Sequence, residues 1–241
     1  MLTASEIYAR YVNSTVGITT AVTTNLFGRQ TTPAASGSGF ILTSDGYILT
    51  NYHVIEGSGQ IAVALYSGTS YSAKVIGYDE TNDIAVLKID ASDLTPVVVG
   101  SSSDLEVGED VVAIGNPLGE LTFSLTTGVV SALNREITVS SGVTMNLIQT
   151  DCAINSGNSG GALFNMHGEV VGITNAKYSS SSGASIDREI CRVVLHMAYG
   201  TFVSPIIKII SSSLVKEKNL LLNTAAQNIH QPRQQKLCRR G

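Results

Sequence analysis

Short runs of hydrophobic residues, many of them alternating with polar residues, recur along most of the chain. Runs of this kind, bounded by Gly, Ser, Asn and Asp, are typical of β-strands joined by tight turns. After a short helix over residues 6–14, a first set of strands is predicted at residues 16–19, 37–42, 47–51, 61–65, 71–76 and 84–89. A second set is predicted at residues 111–114, 123–130, 146–150, 162–164 and 169–174. The pattern therefore predicts an all-β fold.

The two sets of strands are separated by a polar stretch, so we expect two β-barrels with a boundary near residue 105. The first barrel is expected at about residues 15–105 and the second at about residues 106–203. Ser204 and Pro205 then form an N-cap followed by a first-turn proline, and apolar residues at helical spacing predict a closing helix at about 204–215. We expect one domain over residues 1–215 and a polar, disordered tail over residues 216–241.

Composition narrows the classes of function. The net charge is −4 and no dense basic run occurs before the C-terminal tail, so we expect no nucleic-acid partner. The three cysteines, Cys152, Cys191 and Cys238, are odd in number and lack CxxC spacing, and the four histidines lack an HExxH motif. We therefore expect no disulfide framework, no metal and no cofactor.

The sequence gives no visible cellular address. It contains no apolar window of about 18 residues, and its first residues lack the charged-then-apolar layout of a signal peptide. Two interpretations stay open at this point: the chain is cytoplasmic as written, or it is a piece of a longer product whose leader or anchor is left out.

Three segments carry candidate catalytic residues. His53 follows a predicted strand, Asp83 precedes one, and Ser159 lies in Gly157-Asn158-Ser159-Gly160-Gly161. The order His, Asp, Ser is that of two-barrel chymotrypsin-like enzymes, whereas subtilisins and α/β-hydrolases have other orders. With the first two residues in one barrel and the third in the other, the site is expected in the crevice between the barrels.

The chemistry of these residue types suits nucleophilic catalysis. A serine hydroxyl needs a base within hydrogen-bond reach, and that base needs a group that orients it. We assign Ser159 as nucleophile, His53 as general acid and base, and Asp83 as the residue that orients His53. The loop Gly157, Asn158 and Ser159 is assigned as the oxyanion hole, with the Gly157 and Ser159 amides as donors.

Each segment taken singly also has a plainer interpretation. The Gly-rich pentapeptide could be a flexible turn, His53 a solvent-facing side chain, and Asp83 a turn cap before a strand. Their joint occurrence in the right order and strand contexts favours the enzyme.

Five stretches of the chain resemble the HtrA/Deg family of serine proteases. These stretches are residues 37–41, 45–54, 83–89, 113–119 and 149–173. The resemblance implies two six-stranded barrels of chymotrypsin-like fold, endopeptidase activity on unfolded or damaged polypeptides, a homotrimer, and a location outside the cytoplasm. His53, Asp83 and Ser159 fall on the family's triad and Gly157 on its oxyanion loop. The substrate pocket is assigned to residues Ile154, Asn155, Ser156, Thr174 and Asn175.

One segment departs from this family. At residues 186–200 the family has a Gly-rich turn and an apolar strand that lines the specificity pocket, whereas here charged residues interrupt the segment. The family also carries a PDZ domain, and fewer than 30 residues follow Leu214, so we expect none in this chain. Two hypotheses result: a serine endopeptidase of protein quality control, or a catalytically weak, chaperone-like binder of unfolded polypeptides on the same fold.

Overall fold

The computed structural model describes residues 1–21, 35–116, 123–136 and 146–175, together with the backbone of residues 24–26, 29–31, 34, 137–138, 144–145 and Arg192–His196. Within these ranges the chain is built mainly of strands. In chain order the elements are α1 (Ala4–Tyr11), β1 (Thr15–Ala21), β2 (Thr24–Leu26), β3 (Arg29–Thr31), β4 (Ala34–Ile41), β5 (Tyr47–Thr50), α2 (Tyr52–Ile55), β6 (Gln60–Leu65), β7 (Ser70–Asp79), β8 (Ile84–Ile89), β9 (Val98–Val99), β10 (Asp110–Gly115), β11 (Ser124–Thr138), β12 (Thr144–Thr150), β13 (Ala162–Asn165), β14 (Glu169–Asn175) and β15 (Arg192–His196). The predicted helix at 204–215 and tail at 216–241 lie outside the described residues.

The first barrel closes around the strand order β1-β4-β5-β8-β7-β6. All neighbouring strands in it are antiparallel. The predicted hairpin over residues 61–65 and 71–76 is β6 and β7, with Ala62 opposite Ser72. The pairing of β5 with β8 matters most for the site, because the segments that carry His53 and Asp83 adjoin these two strands.

The second barrel follows the order β13-β10-β11-β12-β15-β14, and pairing of β13 with β14 closes the ring. The short strand β9 adds to β14 in parallel. The loop that carries Ser159 leads into β13, whose residue Ala162 lies opposite Ile114 of β10. The two-barrel, all-β fold predicted from the hydrophobic pattern is confirmed, while the domain limits stay a prediction.

Alternate residues of β8 serve two different cores. Ala85, Leu87 and Ile89 belong to the cluster inside the first barrel, whereas Ile84 and Val86 belong to a cluster shared by both barrels. Successive side chains of a strand point to opposite faces, so a strand buried on both faces reads as a continuous hydrophobic run. This explains the unbroken Ile-Ala-Val-Leu stretch that follows Asp83.

The shared cluster joins the two barrels and the N-terminal helix. It contains Phe40 from the first barrel, Phe164 from the second, and Ile7 and Tyr11 from α1. The rings of Tyr11 and Phe164 stack with their centroids 4.8 Å apart. Helix α1 begins at a capping box in which the Thr3 side chain accepts from the Glu6 N–H and the Glu6 carboxylate accepts from the Thr3 N–H. The capped helix therefore packs against both barrels through this shared cluster.

The charged segment that departs from the family does contain a strand. Arg192–His196 forms β15, which lies between β12 and β14, with Val194 opposite Ile148 on one side and Thr174 on the other. The hypothesis of a non-catalytic binder rested on an abnormal segment at 186–200. Since backbone pairing is intact over 192–196, the structure gives that hypothesis no support; the other residues of 186–200 lie outside the described residues.

Candidate active site

Antiparallel pairing of β5 with β8 brings His53 and Asp83 to the same end of the first barrel. Thr50, the last residue of β5, lies opposite Ala85 near the start of β8. His53 follows β5 by three residues and Asp83 immediately precedes β8. His53, predicted to follow a strand, does so and lies in the short helix α2.

Asp83 holds His53 through two hydrogen bonds. The His53 backbone N–H donates to Asp83 Oδ1 at 2.8 Å, and His53 Nδ1 lies 2.7 Å from Asp83 Oδ2. With the proton on Nδ1, the second contact is a bond from the ring to the carboxylate, and Nε2 is left to accept. The two bonds together fix both the position and the tautomer of the imidazole.

The Asp83 carboxylate has a further partner from the second barrel. The Asn175 Nδ2 donates to Asp83 Oδ2 at 2.7 Å, and the Asn51 Nδ2 donates to the Asp83 carbonyl at 3.0 Å. Asp83 is only 3% exposed and has a φ of 51°, an uncommon backbone conformation for a residue with a side chain. A buried carboxylate is tolerated when it is well hydrogen-bonded, so these contacts account for its burial.

The loop around Ser159 is held by β14 of the second barrel. The Gly160 N–H donates to the Thr174 carbonyl and the Thr174 N–H donates to the Gly161 carbonyl, both at 2.9 Å. Gly160 has a φ of 87°, and a Cβ there would lie 2.1 Å from the Ser38 carbonyl oxygen. The second glycine after Ser159 is also constrained, since a Cβ at Gly161 would lie 2.5 Å from a carbonyl oxygen of β10. The glycines are thus required by close backbone approach.

The first barrel also contacts this loop, through Ser38 of β4. The Ser38 N–H donates to the Ser159 carbonyl at 2.7 Å, and the Ser38 hydroxyl donates to the Gly157 carbonyl at 2.7 Å. The loop that carries Ser159 is therefore fixed from both barrels.

A cleft of about 280 Å³ joins His53 and Ser159. Its lining residues come from both barrels: Ala35, Ser36, His53, Val54, Ser156, Gly157 and Ser159. The His53 side chain is 18% exposed, so the imidazole can be reached from the solvent. A hydroxyl, an imidazole and a buried carboxylate thus serve one cleft, an arrangement suited to nucleophilic catalysis.

An aromatic pair lies next to this site on the first barrel. Tyr52, which precedes His53, stacks on Tyr78 with ring centroids 4.7 Å apart. Burial, followed by the Glu80 and Glu56 carboxylates, raises the pKa of Tyr52 above its ordinary value of 10.0. The raised pKa moves ionisation of this phenol further above physiological pH.

The five predicted pocket residues occupy different surroundings. Ser156 lines the cleft, whereas Ile154 packs in the core of the second barrel. The Asn155 carbonyl accepts from the Asn158 N–H at 3.0 Å. Thr174 and Asn175 are buried, and their described contacts are with the Ser159 loop and with Asp83. Their assignment to the substrate pocket stays a prediction.

Two supporting contacts were missed by sequence reasoning. Asn175 was assigned to the pocket without a link to Asp83, and Ser38 was read as part of a strand. Nothing in the local sequence of Asn175 points to an acid 92 positions earlier in the chain. The signal for Ser38 was available, because a serine between two glycines, Gly37 and Gly39, marks a close backbone approach.

The site and the fold define a class of protein. A family model described as "Trypsin-like peptidase domain" matches residues 37–173, more than half of the chain. The chain therefore belongs to the trypsin-like peptidase family.

Its relatives place the matched region within that family as an HtrA/Deg protease domain. The chain is 50% identical over 147 residues to a "Probable periplasmic serine endoprotease DegP-like" of Halomonas elongata. This alignment covers 61% of this chain and 30% of the relative. The chain is 51% identical over 159 residues to "Protease Do-like 1, chloroplastic" of Arabidopsis thaliana. This alignment covers 64% of this chain and 36% of the relative. The chain thus spans about a third of the length of these curated relatives.

A solved structure supports the same fold. The structure titled "HtrA-type protease AlgW with decapeptide" superposes with a TM-score of 0.73 at 31% sequence identity, covering 88% of this chain and 69% of that chain. The predicted chymotrypsin-like double barrel is confirmed.

Among the described residues, no helix combines the length and apolar character needed to cross a membrane.

Proposed function

We propose that this chain is the catalytic domain of a serine endopeptidase that cleaves unfolded or damaged polypeptides. The observation that carries the proposal is the pair of hydrogen bonds from His53 to Asp83 beside a cleft that His53 shares with Ser159. The names of the relatives, which are serine proteases, support the same reaction.

In this proposal Ser159 is the nucleophile. Its hydroxyl attacks the carbonyl carbon of the scissile peptide bond, and His53 Nε2 takes the proton. Asp83 keeps the imidazole oriented and stabilises the imidazolium that forms. His53 then gives the proton to the leaving amine, and the resulting acyl-enzyme is hydrolysed by water that His53 activates in the same way.

The loop Gly157, Asn158 and Ser159 is proposed to stabilise the negative charge that develops on the carbonyl oxygen. The Gly157 and Ser159 amides are the donors, and Gly157 has a φ of 94°, a conformation that a side chain would disfavour. Donors that are fixed before the reaction need no reorganisation at the transition state, which is why each contributes strongly to the rate.

Substrate, assembly and location follow from the relatives as further parts of the proposal. A related protease has been solved with a decapeptide, which supports an extended polypeptide as the ligand of the cleft. Protein quality control and a homotrimer are proposed from the HtrA/Deg resemblance. Relatives named periplasmic and chloroplastic support a location outside the cytoplasm.

A fluorophosphonate probe and casein cleavage test the reaction. We expect the folded protein to be labelled and to cleave casein, whereas Ser159→Ala and a chemically denatured sample do neither. Removing the nucleophile of a serine protease lowers turnover by about 10⁶-fold. Ser103→Ala, which removes an exposed serine hydroxyl away from the cleft, is the matched control and should behave like the parent. Folded parent protein that is neither labelled nor active would contradict the proposal.

A further inference from the structure

Ser38 makes four hydrogen bonds, and three of them cross the junction of the two barrels. It lies in β4 and is 0% exposed. Its hydroxyl donates to the Gly157 carbonyl at 2.7 Å and accepts from the Asn116 N–H at 2.7 Å. Its backbone N–H donates to the Ser159 carbonyl, and its carbonyl accepts from the Thr50 hydroxyl, both at 2.7 Å. A side chain of the first barrel thus donates a hydrogen bond to a peptide group of the loop that carries Ser159.

The peptide group that Ser38 contacts lies between the two proposed oxyanion donors. This group joins Gly157 to Asn158, and its carbonyl accepts from the Ser38 hydroxyl while its N–H donates to the Asn155 carbonyl at 3.0 Å. A peptide group is planar, so contacts at both ends fix its orientation. That orientation in turn limits where the amides of Gly157 and Ser159 can point.

A glycine at this point makes an external contact necessary. Gly157 has a φ of 94°, and glycine samples more backbone conformations than any other residue, so the loop's own sequence does not hold this peptide group. The Asn155 contact closes a local turn within the loop. The Ser38 contact is the one that ties the peptide group to the rigid sheet of the other barrel.

We propose that Ser38 is a positioning residue for the oxyanion hole, acting from the first barrel on the Gly157–Asn158 peptide group. The inference rests on the proposed function, since it needs a reaction that develops negative charge at this loop. Ser38 touches neither the substrate nor the reacting atoms. It acts through the direction of the Gly157 and Ser159 amides.

Loss of the Ser38 hydroxyl should therefore lower kcat more than it changes KM. Deleting an oxyanion donor outright costs about 10²–10³-fold in kcat. In Ser38→Ala both donors remain but are less well aimed, so we expect a smaller loss of about 10- to 100-fold, with KM within about twofold of the parent.

A peptide boronate separates this role from a general structural one. The boronate forms a tetrahedral adduct on the serine oxygen and mimics the transition state, so it should bind Ser38→Ala more weakly by about the factor lost in kcat. A peptide product, which forms no adduct, should bind equally well. If Ser38 only stabilised the fold, the substitution would change the affinity for both ligands alike or for neither.

The control is Ser14→Ala. Ser14 is also 0% exposed, and its hydroxyl has no hydrogen-bond partner among the residues that the structure describes, so the same atom is removed without breaking a described contact. Turnover is expressed per site labelled at the end point by a fluorophosphonate, which counts only sites with a competent nucleophile. If Ser38→Ala does not fold, the nearly isosteric Ser38→Cys takes its place. Its thiol is a weaker donor and acceptor, so an intermediate loss is expected.

The outcomes are distinct. A parallel loss of kcat and boronate affinity in the Ser38 variants, absent in Ser14→Ala, supports the inference. Equal kcat in the parent and the Ser38 variants, with the parent active, overturns the role of Ser38 and leaves the protease proposal standing. An unlabelled parent overturns both.

Discussion

The contact between Asn175 and Asp83 provides the sharpest test of how the barrels cooperate. Asn175 is the last residue of β14, and its Nδ2 donates to Asp83 Oδ2 at 2.7 Å, the same oxygen that accepts from His53 Nδ1. The substitution Asn175→Ala removes this donor and leaves the two bonds from His53 in place. We expect a less stable protein whose His53 is less well oriented.

The size of the effect follows from the charge and burial of the acceptor. A hydrogen bond to a charged group contributes about 1.5–3 kcal/mol, and Asp83, at 3% exposed, has little access to water that could replace the lost donor. Taking about 2 kcal/mol and a urea dependence of about 2 kcal/mol per molar, the midpoint should fall by about 1 M. About 1.4 kcal/mol of this effect expressed in the transition state would lower kcat about tenfold.

Urea unfolding and casein or peptide hydrolysis measure the two effects. Asn116→Ala is the matched control, because Asn116 is also buried and its side-chain amide has no hydrogen-bond partner within the described part of the chain. Asn175→Asp should be worse than Asn175→Ala, since it places a second carboxylate against Asp83. A urea midpoint and a kcat for Asn175→Ala that both match those of Asn116→Ala would refute the reasoning.

Three further predictions concern separate parts of the chain. Gly160→Ala should abolish labelling by a fluorophosphonate. Gly68→Ala should only lower the free energy of unfolding by about 1–2 kcal/mol, measured by thermal unfolding. The two glycines have similar φ values, 87° and 86°, but of the two only Gly160 has other atoms where a Cβ would lie. Asp83→Asn should lower kcat by about 10⁴-fold while the protein stays folded by circular dichroism, because an amide favours the wrong imidazole tautomer; near-parent turnover would contradict this. Hydrogen bonds from the Thr3 backbone and then its side chain hold the pKa of Glu6 below its ordinary 4.5, so this carboxylate stabilises the fold above that value and stops doing so as the pH falls through the lowered pKa. The difference in thermal midpoint between the parent and Glu6→Gln should therefore shrink on acidification, and a difference independent of pH would refute it.

Sequence reasoning worked best where a local pattern carries the structure. The run after Asp83 alternates between two hydrophobic clusters, so β8 and the position of Asp83 before it could be predicted. The glycines around Ser159 likewise announce a tight loop, and the close approaches at Gly160 give the physical reason. In both cases the determinant lies within a few residues of the feature.

The strand β15 shows where local patterns mislead. Polar residues, Arg192 and His196, flank the apolar residues Val193, Val194 and Leu195. The charged residues of the wider segment therefore obscured a short run that favours a strand. Strand formation depends on pairing partners more than on intrinsic preference, and here β12 and β14 offer partners on both sides. Two partners outweigh polar residues at the ends of a short strand.

The glycines beside Ser38 indicate a close backbone approach, but the partners of the supporting contacts could not be predicted from the sequence because the contacts cross between the barrels in opposite directions. Asn175 of the second barrel holds Asp83 of the first, while Ser38 of the first barrel holds Gly157 and Ser159 of the second. Each barrel therefore holds the proposed catalytic group that the other one carries. A shift of one barrel against the other would disturb the acid and the nucleophile loop together, so the cluster of buried side chains shared by the barrels serves the geometry of the site as well as the stability of the fold.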